Sequence, residues 1–394
     1  MSATNGVRRV GVLSVGMMPF ARALAEDTQE LVYRVSKDAL DRAGLRRDDV
    51  DAVVMGSAVD PFNGTNESDK FLVAGAGGVG KPYYRNATSG STAVSTPSLA
   101  YEVVASGLAD IVLCVCYEKM SDNENSQKVF NYVYDPGYVR PVGLNVPIQC
   151  GLEARAYLHR YGISEEEMAA VSVKNLGNAV VNPYAQRGRE ITVEEVLESP
   201  YISWPVKILD TSPVSDGARA AVFASESVIR DLDDDPVWVR GIGRGADSYW
   251  YMGRRNKDLG RLDYAYLGAK LAYEMAGIEK PAEEVHYAEP YDPFTYKEMQ
   301  HIEALGLCEE GGAGRFVQEG KANRDGELPV NASGGLLGEG NPIGAGMSRF
   351  NWCWLQIKGQ AGDCQVERDV DTAACTGWGG MYQYNATVVL GRDA

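Results

Sequence analysis

Histidine is scarce in this chain, three among 394 residues, and no two of His159, His286 and His301 stand at a short spacing. An all-histidine metal site is therefore not expected, because such sites draw on closely spaced ligands. The seven cysteines include no CxxC pair, and Cys114 and Cys116, the one close couple, lie inside an apolar run. Buried free thiols are expected rather than zinc, with no metal in the chain. No stretch reaches the roughly 18 apolar residues that span a bilayer, and the start, MSATNGVRRV, lacks the apolar segment of a secretory signal. The expectation is a cytoplasmic protein without a membrane span. Runs of five or more like charges are also missing, and 38 Lys+Arg against 54 Asp+Glu leave a formal charge of −16. Such a chain offers no footing for a phosphate backbone, which argues against nucleic acid as a partner.

What is present is ordinary globular composition, 45% apolar and 23% charged, in a chain long for one core. Residues 8–17 read as a strand, 28–43 as a helix ending at Gly44, and 51–58 as a second strand. A helix over 91–106 leads into ADIVLCVCYE (109–118), a continuous apolar strand of the buried, parallel kind. A similar order returns after Pro205: a strand at 237–245, a helix over 264–276, a strand at 283–289 and a helix from about Phe294. A Gly-rich loop at 333–346, a helix to about Ile357 and a strand at 383–391 close the chain. Two halves in one order suggest an internal duplication. Between them, 121–147 reads as a long surface loop of the kind used for lids, followed by amphipathic helices at 152–180 and 192–197.

Four segments place Gly and small polar residues at strand–helix junctions. The first, Ala87-Thr88-Ser89-Gly90-Ser91, precedes a helix whose free N–H groups favour a developing negative charge, although an N-cap would use the same residues. In the second, HYAEPYDPFTY (286–296), Tyr291 could serve as a proton donor with Asp292 beside it, or simply pack under a loop. The third, PVNASGGLLGEGNPIGAG (329–346), has six glycines and would let backbone approach a ligand, but it lacks the phosphate-binding GxxxxGK[ST] spacing. The fourth, AACTGWGG (373–380), sets Cys375 in a Gly-flanked turn, where a structural cysteine is the default.

Taken in order, these segments resemble the thiolase superfamily across essentially the whole chain. SVKNLGNAVVNP, PVSDGARAAVF and VASGLADIVLCVCYEKMS look like further landmarks of that family. The resemblance implies an α/β thiolase fold: two similar βαβαβ halves, layered α-β-α-β-α, with an inserted lid. Residues 1–118 with 206–235 form the N-terminal half, 119–205 the insertion and 236–394 the C-terminal half. The family's nucleophilic Cys falls on Ala87, the His of its His-Asp motif on Tyr291, and the His of its GHPxGA loop on Asn341; Cys375 keeps the family identity. The pattern is similar to a branch that includes steroid side-chain aldolases and benzoylsuccinyl-CoA thiolase-like subunits, and that works with a zinc-ribbon/OB-fold partner in a heterotetramer.

The resemblance implies carbon–carbon bond chemistry on a bulky acyl-CoA, with coenzyme A as thioester carrier. Retro-aldol cleavage of a β-hydroxyacyl-CoA is the preferred reaction because a methyl group cannot form an acyl-enzyme. Tyr291 would be base or proton relay, Cys375 the proton source for the enolate carbon and Asp292 a support. Asn341 and backbone at Ser89, Gly90, Ser91, Ser333, Gly334 and Gly335 would hold the thioester oxygen or CoA. Two alternatives remain: thiolysis of a β-ketoacyl-CoA, Ala87 being an engineered or displaced nucleophile position, and a non-catalytic CoA-binding scaffold. A homodimer paired through residues 109–118 is expected. Phe130, Tyr132, Tyr134, Tyr138, Tyr249, Trp250 and Tyr251 suggest an aromatic or polycyclic acyl group.

Overall fold

The strand Ile111–Lys119, which carries most of the apolar run 109–118, sits at the heart of a sheet, buried at eight of its nine positions. The structure, a computed structural model, describes residues 7–232, 235–249, 259–380 and 383–393. Its strands are β1 (Val10–Gly16), β2 (Ala52–Gly56), β3 (Tyr83–Asn86), β4 (Ile111–Lys119), β5 (Tyr201–Ser203), β6 (Val206–Lys207), β7 (Asp216–Ser225), β8 (Val237–Ala246), β9 (Tyr287–Glu289), β10 (Thr372–Gly379) and β11 (Tyr384–Gly391). β5 and β6 form a small hairpin, and the other nine lie in one mixed sheet in the order β3-β2-β4-β7-β1-β8-β11-β10-β9. β2 runs parallel to β3 and β4, and β9 parallel to β10; the remaining neighbours are antiparallel. The halves join through β1 and β8, which share only the pairs Gly11–Trp238 and Val12–Val237.

Two helices fill the space between the halves. Thr92–Ala105 is buried at twelve of fourteen positions and Ser348–Ile357 at all ten, so neither shows the polar face of a surface helix. Each touches strands of both halves. Helix Thr28–Arg42 covers the outer face of the N-terminal strands, and Asp263–Ala276 that of β8 and β11. The second contact is unusually close. A Cβ on Gly241, Gly243 or Gly245 of β8 would lie 2.0, 2.0 and 1.8 Å from the backbone oxygens of Ala272, Gly268 and Tyr264. Three alternating glycines thus let a helix lie directly on strand backbone.

The layered thiolase-type architecture is as expected, but several elements differ. β3, β7 and β10 are additional strands: YYRN is too polar and short to stand out by pattern, and its positions are only half-buried. The stretch 373–380 is not a turn, since Cys375 pairs with Val388 on β11 and Glu289 on β9. The 152–180 segment is two helices, Val146–Tyr161 and Glu165–Asn178, broken at Gly162 with φ +69°. Residues 121–147 carry a short helix, Ser126–Asn131, rather than only loop. β4 lies between β2 and β7 and is hydrogen-bonded on both edges, so a second copy cannot pair through residues 109–118; β3 is the outermost strand on that side. Among the described residues no helix is long and apolar enough to cross a membrane.

Candidate active site

β3 delivers the chain to the start of helix Thr92–Ala105 through a turn held by hydroxyl groups. Asn86 Nδ2 donates to Ser95 Oγ (2.7 Å) and Thr96 Oγ1 (3.0 Å), Thr88 Oγ1 meets Ser95 Oγ at 2.7 Å, and Thr88 N–H donates to Thr92 Oγ1 at 2.7 Å. Ser89 takes φ +56°, a left-handed conformation costly for a residue with a Cβ, and this places it at the cavity wall. Ser91 is turned inward, its Oγ donating to Thr88 O at 2.8 Å. Ala87 is exposed.

The C-terminal half supplies the facing wall. Tyr291 is 2% exposed; its N–H donates to Thr376 Oγ1 and its phenol to Asn341 Oδ1, both at 3.0 Å. Burial pushes its pKa far up, so the phenol stays protonated and acts as a donor. Asn341 is fixed in turn, its Nδ2 donating to Ser212 Oγ at 3.3 Å and its N–H to Pro213 O at 3.1 Å. Asp292 points away from the cavity. Its carboxylate accepts Leu336 N–H at 2.7 Å and Asn175 Nδ2 at 2.9 Å, anchoring the start of helix Gly335–Glu339. Burial raises its pKa, opposed by Arg349 and by the N–H groups of Leu336 and Leu337.

Between the walls lies an apolar cavity of about 180 Å³, lined by Ser89, Gly90, Tyr291 and Asn341 at one end and by Met120, Phe130, Val146, Ile343 and Trp378 around it. The structure therefore brings four of the candidate residues together. It does not bring the others. Cys375 is fully buried with its thiol against Cys353, whose own pKa burial pushes well up. Ser333 donates to Glu289 at 3.1 Å and accepts from Arg349 Nη1 at 3.0 Å, and Gly334 and Gly335 pack against Ala179 and Asp292, all off the cavity. Of the aromatic candidates among the described residues only Phe130 lines it: Tyr132 and Tyr138 are exposed, Tyr134 is bonded to Gln149, and the Tyr249 hydroxyl accepts Asp135 N–H at 2.7 Å. Trp250 and Tyr251 lie outside the described residues.

The thiolase N-terminal domain family matches residues 10–199, and the thiolase C-terminal domain-like family residues 247–392. The chain is a member of the thiolase superfamily. It is 31% identical over 366 residues to an acetyl-CoA acetyltransferase of Methanothermobacter thermautotrophicus, covering 92% of this chain and 94% of that one. It is 30% identical over 349 residues to the 17-hydroxy-3-oxo-4-pregnene-20-carboxyl-CoA lyase of Mycobacterium tuberculosis, covering 84% and 87%. Among solved structures, the Ltp2-ChsH2(DUF35) aldolase superposes with a TM-score of 0.84 at 26% identity, over 98% of each chain. These relatives are enzymes of the superfamily, and as a group they support acyl-CoA carbon–carbon chemistry.

Within this thiolase fold two features of the site escape sequence reasoning. Glu118, the last residue of the apolar run, is fully buried, and its carboxylate accepts Ala58 N–H (2.8 Å), Asn63 Nδ2 (2.8 Å) and Gly344 N–H (3.1 Å). It ties the Asn341-bearing segment to β4; burial, opposed by these donors, raises its pKa to about 7. Beneath Tyr291, Arg349 bridges Glu289 and Glu339, and Arg219 meets Glu339 at 2.7 Å, all without exposure. Partners separated by tens of residues leave no local spacing to read. His301, bonded to Thr376 at 3.0 Å, is held neutral by burial, its pKa pushed down to about 3.

Proposed function

We propose that this chain cleaves a carbon–carbon bond of a β-hydroxyacyl-CoA by retro-aldol chemistry. The observation that supports it is a pairing: Tyr291, a buried phenol bonded to Asn341, lines the same cavity as the Ser89–Gly90 turn and packs against it, its hydroxyl 3.1 Å from where a Cβ on Gly90 would lie, while the family's nucleophile position holds Ala87. A methyl group rules out an acyl-enzyme at that position, and retro-aldol cleavage needs none. The β-hydroxyl loses its proton, the Cα–Cβ bond breaks, a carbonyl compound departs, and the thioester enolate takes up a proton at Cα. Tyr291 relays a proton or donates to the oxygen that gains charge, Asn341 orients it, and N–H groups at the 89–90 turn hold the thioester oxygen. Cys375 has no part in this scheme because its thiol lies in the core.

Coenzyme A enters as the thioester carrier, its sulfur end at the 87–91 turn. An apolar cavity of about 180 Å³ holds roughly one ring, since cavities near 150 Å³ accept benzene; a polycyclic group would extend past Ile202 and Val214 at the mouth. The name of the structural relative, which couples Ltp2 to ChsH2(DUF35), favours a zinc-ribbon/OB-fold partner for this chain as well. A homodimer within such a complex and a cytoplasmic setting complete the reading.

The test is incubation of the chain, alone and with its partner, with a β-hydroxyacyl-CoA in the absence of free CoA. Release of an aldehyde or ketone with the shortened acyl-CoA supports the proposal; cleavage only of a β-ketoacyl-CoA, and only with added CoA, overturns it. That second reaction is favoured by the likeness to the acetyltransferase.

A further inference from the structure

We infer that Trp378 sets how much of the acyl group the cavity accepts. The inference rests on the reading above that the cavity holds the acyl group. Trp378 stands near the end of β10, one strand residue before the Gly379 that lets β10 approach the helix start: a Cβ there would lie 2.5 Å from both Gly90 N and Ser91 N. Trp378 lines the cavity together with Phe130 and Val146, yet only 7% of the residue is accessible.

The ring is fastened from outside the cavity. Its Nε1–H donates to Tyr264 Oη at 2.8 Å, on helix Asp263–Ala276. Lys297 Nζ lies 4.7 Å from the ring centroid and is paired with Glu153 at 2.6 Å, both side chains without exposure. A swing of the indole would leave a buried N–H unpaired and uncover a buried ion pair, two costs that hold it in place. Asn385 locks the strand beside it by donating to Gly377 O at 3.1 Å. Trp378 is thus a fixed wall rather than a moving gate. Space behind it belongs to Tyr264 and Lys297, neither of which reaches the cavity.

The test is calorimetric binding of acetyl-, hexanoyl- and decanoyl-CoA to the unaltered chain, W378A and W378L, with folding of each checked by circular dichroism and thermal melting. The decanoyl-to-hexanoyl affinity ratio should rise about 10-fold or more in W378A, the scale at which one apolar pocket group discriminates. W378L should show a smaller rise in the same direction, and it carries the test if W378A does not fold. An unchanged ratio in a folded variant overturns the inference alone. Failure of the unaltered chain to bind any of the three overturns the functional reading and this inference with it.

Discussion

The two halves meet the cavity with opposite equipment. On the N-terminal side the turn before helix Thr92–Ala105 is built of small residues whose hydroxyls and amides bond one another, and position 87 is an exposed methyl group. On the C-terminal side Tyr291 stands over a set of buried charges formed by Glu289, Arg349, Glu339 and Arg219. The difference teaches that one cavity can be walled on one side by a turn of small hydroxyl residues and on the other by a phenol and an amide, and the proposed chemistry assigns the reacting groups to the second side.

Breaking the charged side should have the largest effect. Arg349→Met leaves Glu289 and Glu339 buried without that cation and should destabilise the fold by about 3–5 kcal/mol in chemical denaturation, whereas Lys37→Met, at the exposed Lys37–Asp41 pair, should leave the denaturation midpoint nearly unchanged. Equal effects would erase the contrast. Tyr291→Phe should lower β-hydroxyacyl-CoA cleavage by roughly 10²-fold in kcat with the melting temperature little changed. A fall below about 3-fold would move the chemistry off the C-terminal wall.

Glu118 joins the two sides through Gly344 and sharpens the comparison by its pH dependence. Its folded pKa, about 7, is above the ordinary 4.5, so its contribution to stability is complete below pH 4.5 and is lost as pH rises through 7. Glu118→Gln should remove that component, flattening the change in unfolding free energy between pH 5 and 8 by at most roughly 2–3 kcal/mol. An identical pH profile in the variant would show that the carboxylate does not titrate there. The smallest effect belongs to Ala87→Cys. β-Hydroxyacyl-CoA cleavage should stay level or fall modestly, with no acyl adduct in the intact mass. An adduct together with CoA-dependent turnover would return the chemistry to the N-terminal wall.

Much of the fold is legible because its apolar runs are long: 109–118 overlaps β4 (Ile111–Lys119), and the helices ending at Gly44 and Gly277 stop where left-handed glycines end them or follow within a residue. β3 is not legible, since four half-buried polar and aromatic residues carry no alternation. Cys375 is misplaced by its flanking glycines, which mark close approach to Ser91 and Gly90 rather than a turn. Tyr291 and Asn341 emerge from motif order, and the structure puts them in contact. Glu118, Trp378 and the Arg349 charges do not emerge, because their meaning lies in partners distant along the chain.

The three alternating glycines of β8 give the molecule a remote adjustment. They let helix Asp263–Ala276 rest on strand backbone, and that helix carries Tyr264, the acceptor that holds Trp378. A single methyl group at Gly245, 1.8 Å from Tyr264 O as built, must lift the helix or shift the strand. Either movement tilts the indole without altering any residue that lines the cavity. Substrate range can therefore drift, or be steered by directed evolution, through positions on the far side of the sheet that a screen of cavity residues would never sample.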